Sequence, residues 1–197
     1  MDNANHQSLL IRVARLEDAD ALALLSRQLL EYEKSLNETM GELTAWAARA
    51  AELRKQMLRP GNRFFVAEKD GKVVGYIKVM IHGQQLTVEE LGPARWLLDR
   101  LERLARNAFN ALLRRPRANV EVRGGYIAGA FVHRDVRRSN IGRMLVAAAE
   151  DWLKKQGILT IELHVLYVNE SAAQFWREVG YEPLTLGMEK KLKGGKT

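Results

Sequence analysis

Apolar and polar positions along this chain alternate in two rhythms, one suited to strands and one to helices. Residues 9–13, Leu-Leu-Ile-Arg-Val, are a short apolar run that predicts a first strand. A helical rhythm follows. Leu16, Glu17, Asp18 and Asp20 open a helix with acids in its first turn, as the helix dipole favours, and Leu22, Leu25, Leu29 and Leu36 line one face. A second helix is predicted over 42–58 and stops at Pro60-Gly61. Residues 64–68 and 73–81 read as strands, and Asp70-Gly71 between them is a strong hairpin signal. Further on, 126–132 reads as a buried strand. Ile141, Leu145, Ala148, Ala149, Trp152 and Leu153 recur at helical spacing until Gly157, a good helix stop. The pattern then predicts a strand over 159–165, a helix over 171–179 and two closing strands, 182–186 and 188–192.

Between the third and fourth strands lies a long connection, residues 92–118. Pro93 starts a helix there, with Leu97, Leu101, Leu104, Ala108 and Leu112 on one stripe. Seven arginines face two acids in this segment, a net charge of +5, whereas residues 1–42 carry a net −4. A helix covering the sheet is the favoured reading. A lid, a homodimer surface or a basic docking face stay open, because the stripe alone does not choose.

Composition narrows the class. A chain of 197 residues, 47% hydrophobic, is read as one domain carrying this insertion. No cysteine is present, which removes disulfides, cysteine-based zinc sites and a cysteine nucleophile, and fits a reducing, cytoplasmic setting. The polar start carries no signal-peptide pattern, and no run of 18 apolar residues is long enough to span a membrane. No metal-ligand cluster is visible in the sequence. The net charge of +7 raises nucleic acid as a partner, but the basic residues lack interleaved aromatics and a known recognition motif. Gly194-Gly195-Lys196-Thr197 mimics the end of a phosphate loop but opens no helix.

The chemistry concentrates where the 126–132 strand runs through a basic loop into a helix. A helix N-terminus offers free N–H groups and positive potential to phosphate oxygens, and Arg137, Arg138 and Arg143 add charge. Within it, Arg137-Arg138-Ser139-Asn140-Ile141-Gly142 resembles the Arg/Gln-x-x-Gly-x-Gly/Ala signature of the GNAT (Gcn5-related N-acetyltransferase) family. Downstream, Asn169, Ala172, Trp176, Gly180 and Tyr181 are similar to the family's second signature, Asn-x-x-Ala-x-x-x-Tyr-x-x-x-Gly-Phe. Two positions depart from the pattern. Asn140 replaces the first glycine, and asparagine is the residue after glycine that best tolerates positive φ. Trp176 replaces the tyrosine that in the family protonates the leaving thiolate, and an indole N–H is no usable acid.

That resemblance implies a GNAT-like mixed central sheet flanked by helices, and acetyl-CoA as co-substrate. Its pyrophosphate would lie on the loop spanning Arg137, Arg138, Ser139, Asn140, Ile141, Gly142 and Arg143. The pantetheine arm would pair with the strand edge at Phe131 and Val132, where the fourth and fifth strands part. Asn169 and Trp176 would lie near the arm, and Asn169 also reads as a helix N-cap. An amine, on a small molecule or a protein, would attack the thioester directly, which requires proton handling and carbonyl polarisation. Glu121, Tyr126, Glu162 and His164 are the candidates, although each taken singly reads as structural. Glu162 and His164 share one face of their strand, which can equally be solvent-facing. The first two helices usually frame the acceptor in this family, and their acidity here suits a cationic amine. Two alternatives stand beside this reading: an acyl-CoA-binding module of low activity, motivated by Trp176 and the missing glutamate early in the fourth strand, and a basic nucleic-acid-binding protein.

Overall fold

The computed structural model describes residues 8–37, 49–86, 120–188 and 190. Five strands form one sheet in sequence order: β1 (Leu9–Val13), β2 (Asn62–Lys69), β3 (Lys72–Leu86), β4 (Val120–Val132) and β5 (Ile161–Leu163). The first four pair antiparallel and β4 pairs parallel with β5, so the sheet is mixed. Helices α1 (Ala19–Leu36) and α2 (Ala50–Met57) precede β2, while α3 (Ile141–Lys155) and α4 (Glu170–Glu178) flank β5 in sequence.

Residue periodicity explains the layering. In β2, Phe65 and Ala67 point to one face and Phe64 and Val66 to the other, and all four are buried, so helices must cover both sides. On one face, Phe65, Ala67, Ile77, Val79 and Ile127 pack against Ile141, Leu145, Ala149 and Leu153 of α3. On the opposite face, Phe64, Val66 and Tyr76 pack against Leu22, Ala23 and Leu25 of α1 and Leu53 of α2. The hairpin joining β2 to β3 turns through Asp70 (φ 51°) and Gly71 (φ 76°), the two positive-φ positions that a type I′ turn needs.

Several sequence expectations change. Strands β3 and β4 run longer than their apolar cores, to Leu86 and from Val120, because backbone pairing continues through the polar stretch where Gln84 and Gln85 oppose Val122 and Glu121. Ladder bonds need no apolar side chain, so a hydrophobic pattern does not register that extension. Strand β5 is shorter than expected, three residues. Residues 181–188 form no strand, and Leu184 and Met188 are exposed; their apolar alternation finds no partner edge among the described residues. Of the predicted second helix, 42–48 lies outside the described residues, as do the 92–118 insertion and most of the 188–192 stretch.

One ion cluster fastens β1 to the start of α1. Arg12 donates to both carboxylate oxygens of Asp18, at 2.6 and 2.9 Å, and to Glu68 of β2 at 2.8 Å, while the Arg15 N–H also donates to Asp18. The Arg12 bonds hold the Asp18 carboxyl below its ordinary value against an opposing effect of burial. Removing one member leaves a largely buried charge uncompensated. Arg12→Ala is therefore expected to lower the unfolding free energy by about 3–5 kcal/mol in urea titrations. Because the folded-state value of Asp18 is depressed, its contribution is full above the unfolded carboxylate range and fades as pH falls through the folded value. The gap between wild type and Asp18→Asn should accordingly narrow when the titration is repeated in acid.

Candidate active site

Strand β4 is where the site begins. Its ladder with β3 shifts register around Ala128: Lys78 opposes Gly129 and Val79 opposes Ile127, so Ala128 is an extra, bulged residue. Its pairing with β5 involves only Gly125, Tyr126 and Ile127. From Ala128 to Val132 the strand therefore keeps its β3 partner but, among the described residues, has no ladder on the β5 side. That edge presents backbone donors and acceptors to an incoming extended group.

The loop that follows is built by its own short bonds. A 3₁₀ turn spans Arg134–Val136, with the Asp135 N–H reaching His133 Nδ1 at 3.4 Å. Ser139 Oγ donates to the Val136 carbonyl. Arg138 and Asn140 both adopt left-handed backbone, each at φ 63°. Asn140 is the N-cap of α3, yet its side chain makes no capping bond, so its role here is the conformation and not the cap. The first intrahelical bond runs from the Met144 N–H to the Asn140 carbonyl. The N–H groups of Ile141, Gly142 and Arg143, the first turn, thus have no partner within the helix. Left-handed residues beside free N–H groups form an anion-binding concavity at the positive end of the helix. Left-handed arginine is costly, and such strain gathers at functional positions.

The three arginines divide their work. Arg137 Nε donates to the Val132 carbonyl at 3.0 Å, and its guanidinium lies over the rings of Phe131 (5.3 Å) and Tyr32 (6.0 Å). Arg143 is taken by α4, donating to the Glu178 carboxylate at 2.8 Å and to the Glu178 carbonyl at 3.1 Å. Arg138 is exposed and makes no bond to any described side chain. Gly142 has a packing reason of its own: a Cβ there would meet the Phe175 ring at 3.1 Å, so α4 lies against the opening turn of α3.

Across the gap, Asn169 is buried and caps α4. Its Oδ1 accepts from Ala172 N–H at 3.2 Å, Ser171 Oγ at 3.1 Å and Tyr32 OH at 3.3 Å. Tyr32 thereby joins α1 to both signature segments. Nothing in the sequence pattern singled it out, since its contacts come from distant parts of the chain. Trp176 packs edge-to-face with Phe175 and Tyr181, both at 5.2 Å between ring centres. Tyr181 donates to Glu150 at 3.2 Å, and burial followed by the Glu150 charge pushes its phenol well above the ordinary value.

Of the four proton-handling candidates, three come together and one stands apart. Tyr126 opposes Glu162 in the β4–β5 register, and the Tyr126 hydroxyl lies 3.2 Å from His164 Nδ1, with the rings edge-to-face at 5.6 Å. Burial raises the Tyr126 phenol from its ordinary value. Glu162 and His164 are exposed. Glu121 opposes Gln85 near the far end of β4, about 17 Å from Tyr126 along the strand. A further group on the α1–α2 face escaped the sequence reading: the Lys78 ammonium donates to the buried Gln56 at 2.8 Å, and burial pushes it below its ordinary value. A cleft of about 340 Å³ bordered by Arg59, Arg63, Arg123 and Trp152 lies at the opposite end of the sheet from the loop and holds none of these groups. Among the described residues no three His, Asp or Glu side chains are grouped to hold a metal, and no helix is long and apolar enough to cross a membrane.

Parted parallel strands, a bulged β4 and a strained loop opening a helix define a GNAT-like α/β fold. The acetyltransferase (GNAT) family profile matches residues 23–181, and the chain belongs to that family of N-acetyltransferases. Solved structures agree on the fold. A GCN5-related N-acetyltransferase from Ralstonia eutropha superposes with a TM-score of 0.62 at 18% identity, covering 95% of this chain and 100% of that one. The BH1408 protein of Bacillus halodurans, in a tetramutant form, gives 0.71 at 18% identity over 93% and 99%. An aminoglycoside N-acetyltransferase, AAC(6')-Iy, in complex with CoA, gives 0.60 at 14% identity over 95% and 96%. No curated protein matches the chain by sequence.

The left-handed loop makes a direct prediction. Asn140→Gly should be tolerated in both thermal stability and ligand binding. Asn140→Val, β-branched at φ 63°, should cost roughly 1–3 kcal/mol in denaturation and weaken CoA binding in calorimetry.

Proposed function

We propose that the chain transfers an acetyl group from acetyl-CoA directly to the amine of a cationic acceptor. The observation that carries this reading is the open β4 edge, Ala128 to Val132, leading into the left-handed loop at the start of α3. The chemistry of these groups fits the cofactor. An anionic diphosphate suits the free N–H groups of Ile141, Gly142 and Arg143 together with the unengaged Arg138, and the amides of an extended arm suit the edge at Phe131 and Val132.

Acetyl-CoA supplies an activated thioester when bound. The residues of this chain hold it, orient the acceptor and move protons. Tyr126 and His164, 3.2 Å apart beside the parting of β4 and β5, form a proton-handling pair in which neutral imidazole and phenol can each accept or donate. Trp176 packs on Phe175 of the same helix and on Tyr181 just beyond its end, and supplies no acid. Thiolate is a tolerable leaving group, with a reference thiol pKa of about 8.5, so protonation by water or a neighbouring phenol suffices. For the acceptor, the aminoglycoside named by one structural neighbour is a polyamine, and the net −4 of residues 1–42 favours cations by field. Trp176 also motivates a second reading, an acyl-CoA-binding module of low activity.

Calorimetric titration with acetyl-CoA tests the cofactor. Arg138→Gln should weaken binding by roughly tenfold, about 1.4 kcal/mol, with thermal stability held. Unchanged affinity would remove Arg138 from the phosphate site. Thiol release in the presence of an amine panel separates transferase from binding module. In that assay Trp176→Phe should keep most of the turnover, because ring packing is retained. A loss of orders of magnitude with normal acetyl-CoA binding would give the indole N–H a chemical role.

A further inference from the structure

We propose that Glu33 receives the ammonium group of the acceptor and takes its proton, a role that rests on the acetyl-transfer reading above. On α1, Ala19, Leu22, Ser26, Leu29 and Glu33 follow one another at three- and four-residue steps, so they share the stripe that faces the sheet. Ala19 and Leu22 are fully buried. Ser26 touches the sheet through the Tyr76 hydroxyl at 3.2 Å. Seven residues make two turns, so Glu33 projects from nearly the same azimuth as Ser26, about 10 Å further along the axis. A carboxylate at the end of a core-facing stripe is the informative exception to apolar burial.

The stripe leads to the open edge of β4. The Tyr76 hydroxyl lies 3.4 Å from where a Cβ on Gly129 would be, above the second residue of the unpaired segment. Adjacent to Glu33, Tyr32 reaches Asn169 beyond β5 and underlies Arg137 beyond β4. The Tyr32 side chain of α1 thus links the loop after β4 to the cap of α4, and Glu33 is the next residue, on the stripe that faces the sheet. Among the described residues no hydrogen bond or ion pair reaches its carboxylate. Half-burial raises the Glu33 carboxyl from its ordinary value, and its charge is felt by Tyr76. A half-desolvated carboxylate with no cation beside it among the described residues is matched by a ligand that brings one.

In the step, one ammonium proton passes to the Glu33 carboxylate, leaving a neutral amine. The amine lone pair forms the C–N bond to the thioester carbon while the C–S bond breaks and its electron pair leaves on sulfur. The second proton lost by nitrogen ends on that thiolate, and Glu33 returns the first to solvent. An aspartate would sit one methylene short of the same place.

The experiment measures thiol release from acetyl-CoA with 1,4-diaminobutane, spermidine, kanamycin and a lysine peptide, alongside calorimetric acetyl-CoA affinity and thermal melting. For any amine turned over, Glu33→Gln should lower acceptor kcat/KM by roughly 10²-fold or more while acetyl-CoA affinity holds. Glu33→Leu should raise Tm by about 2–4 °C, since an unpaired carboxylate kept for binding lies in a core-facing stripe. Retained acceptor kcat/KM in Glu33→Gln overturns the proposal, as does a lowered Tm in Glu33→Leu, which would show a structural partner. Should no amine react although acetyl-CoA binds, the transfer reading fails on its own, and the melting arm decides whether Glu33 is held for a ligand.

Discussion

Everything at this site follows from β4 holding one neighbour while releasing the other. A strand that kept both ladders would have no backbone groups to offer, and a strand that lost both would have no fixed edge. The bulge at Ala128 and the end of β5 pairing at Ile127 fall together, so β4 stays anchored to β3 through Val132 with its far side open. The edge is rigid because its other side is paired and its apolar residues are gripped by two cores, Ile127 by the α3 face and Phe131 by the α1 face. An open edge on a strand buried from both faces is shielded from the edge-to-edge pairing that an exposed one invites.

Three tethers keep the gap from collapsing or widening. Arg137 ties the loop back to the Val132 carbonyl and lies over Phe131 and Tyr32. Arg143 ties α3 to the end of α4. Tyr32 ties α1 to the cap of α4. Two of the residues that the family signature would assign to the cofactor, Arg143 and Asn169, have side chains already engaged in holding elements together. That is consistent with a site in which backbone N–H groups face the anion and side chains set the frame.

The sequence revealed the parts whose physics is local. The hairpin was legible because Asp-Gly accepts two positive φ angles, and α1 and α3 because their apolar stripes keep a 3.6 period. Asn140 was legible as left-handed because asparagine tolerates that backbone. Arg138, at the same φ, was not, because nothing about arginine signals it; the surrounding loop imposes the conformation. Tyr32, Lys78 and Glu33 were illegible for another reason. Each looks like an ordinary helix or strand residue until the topology sets it beside Asn169, Gln56 or Tyr76. The closing strands at 182–186 failed in the reverse sense: alternation was present, and a paired edge was not.

The α1–α2 face carries an unusual load for a packed layer. Tyr76 is buried with its phenol pushed up to about 12, Lys78 is pushed down, and Glu33 is raised, and in each case desolvation is the leading cause. All three effects favour the neutral form of the group concerned. The opposite face, under α3, is filled mainly by Leu, Ile, Val, Ala and Phe, with Tyr181 at its margin as the group there that burial shifts. The α1 side of β4 thus holds more of these partly desolvated groups, and it is the side on which the proposed proton chemistry falls. The loop proposed to take the diphosphate sits at the end of the same strand, so one element would order both halves of the proposed reaction.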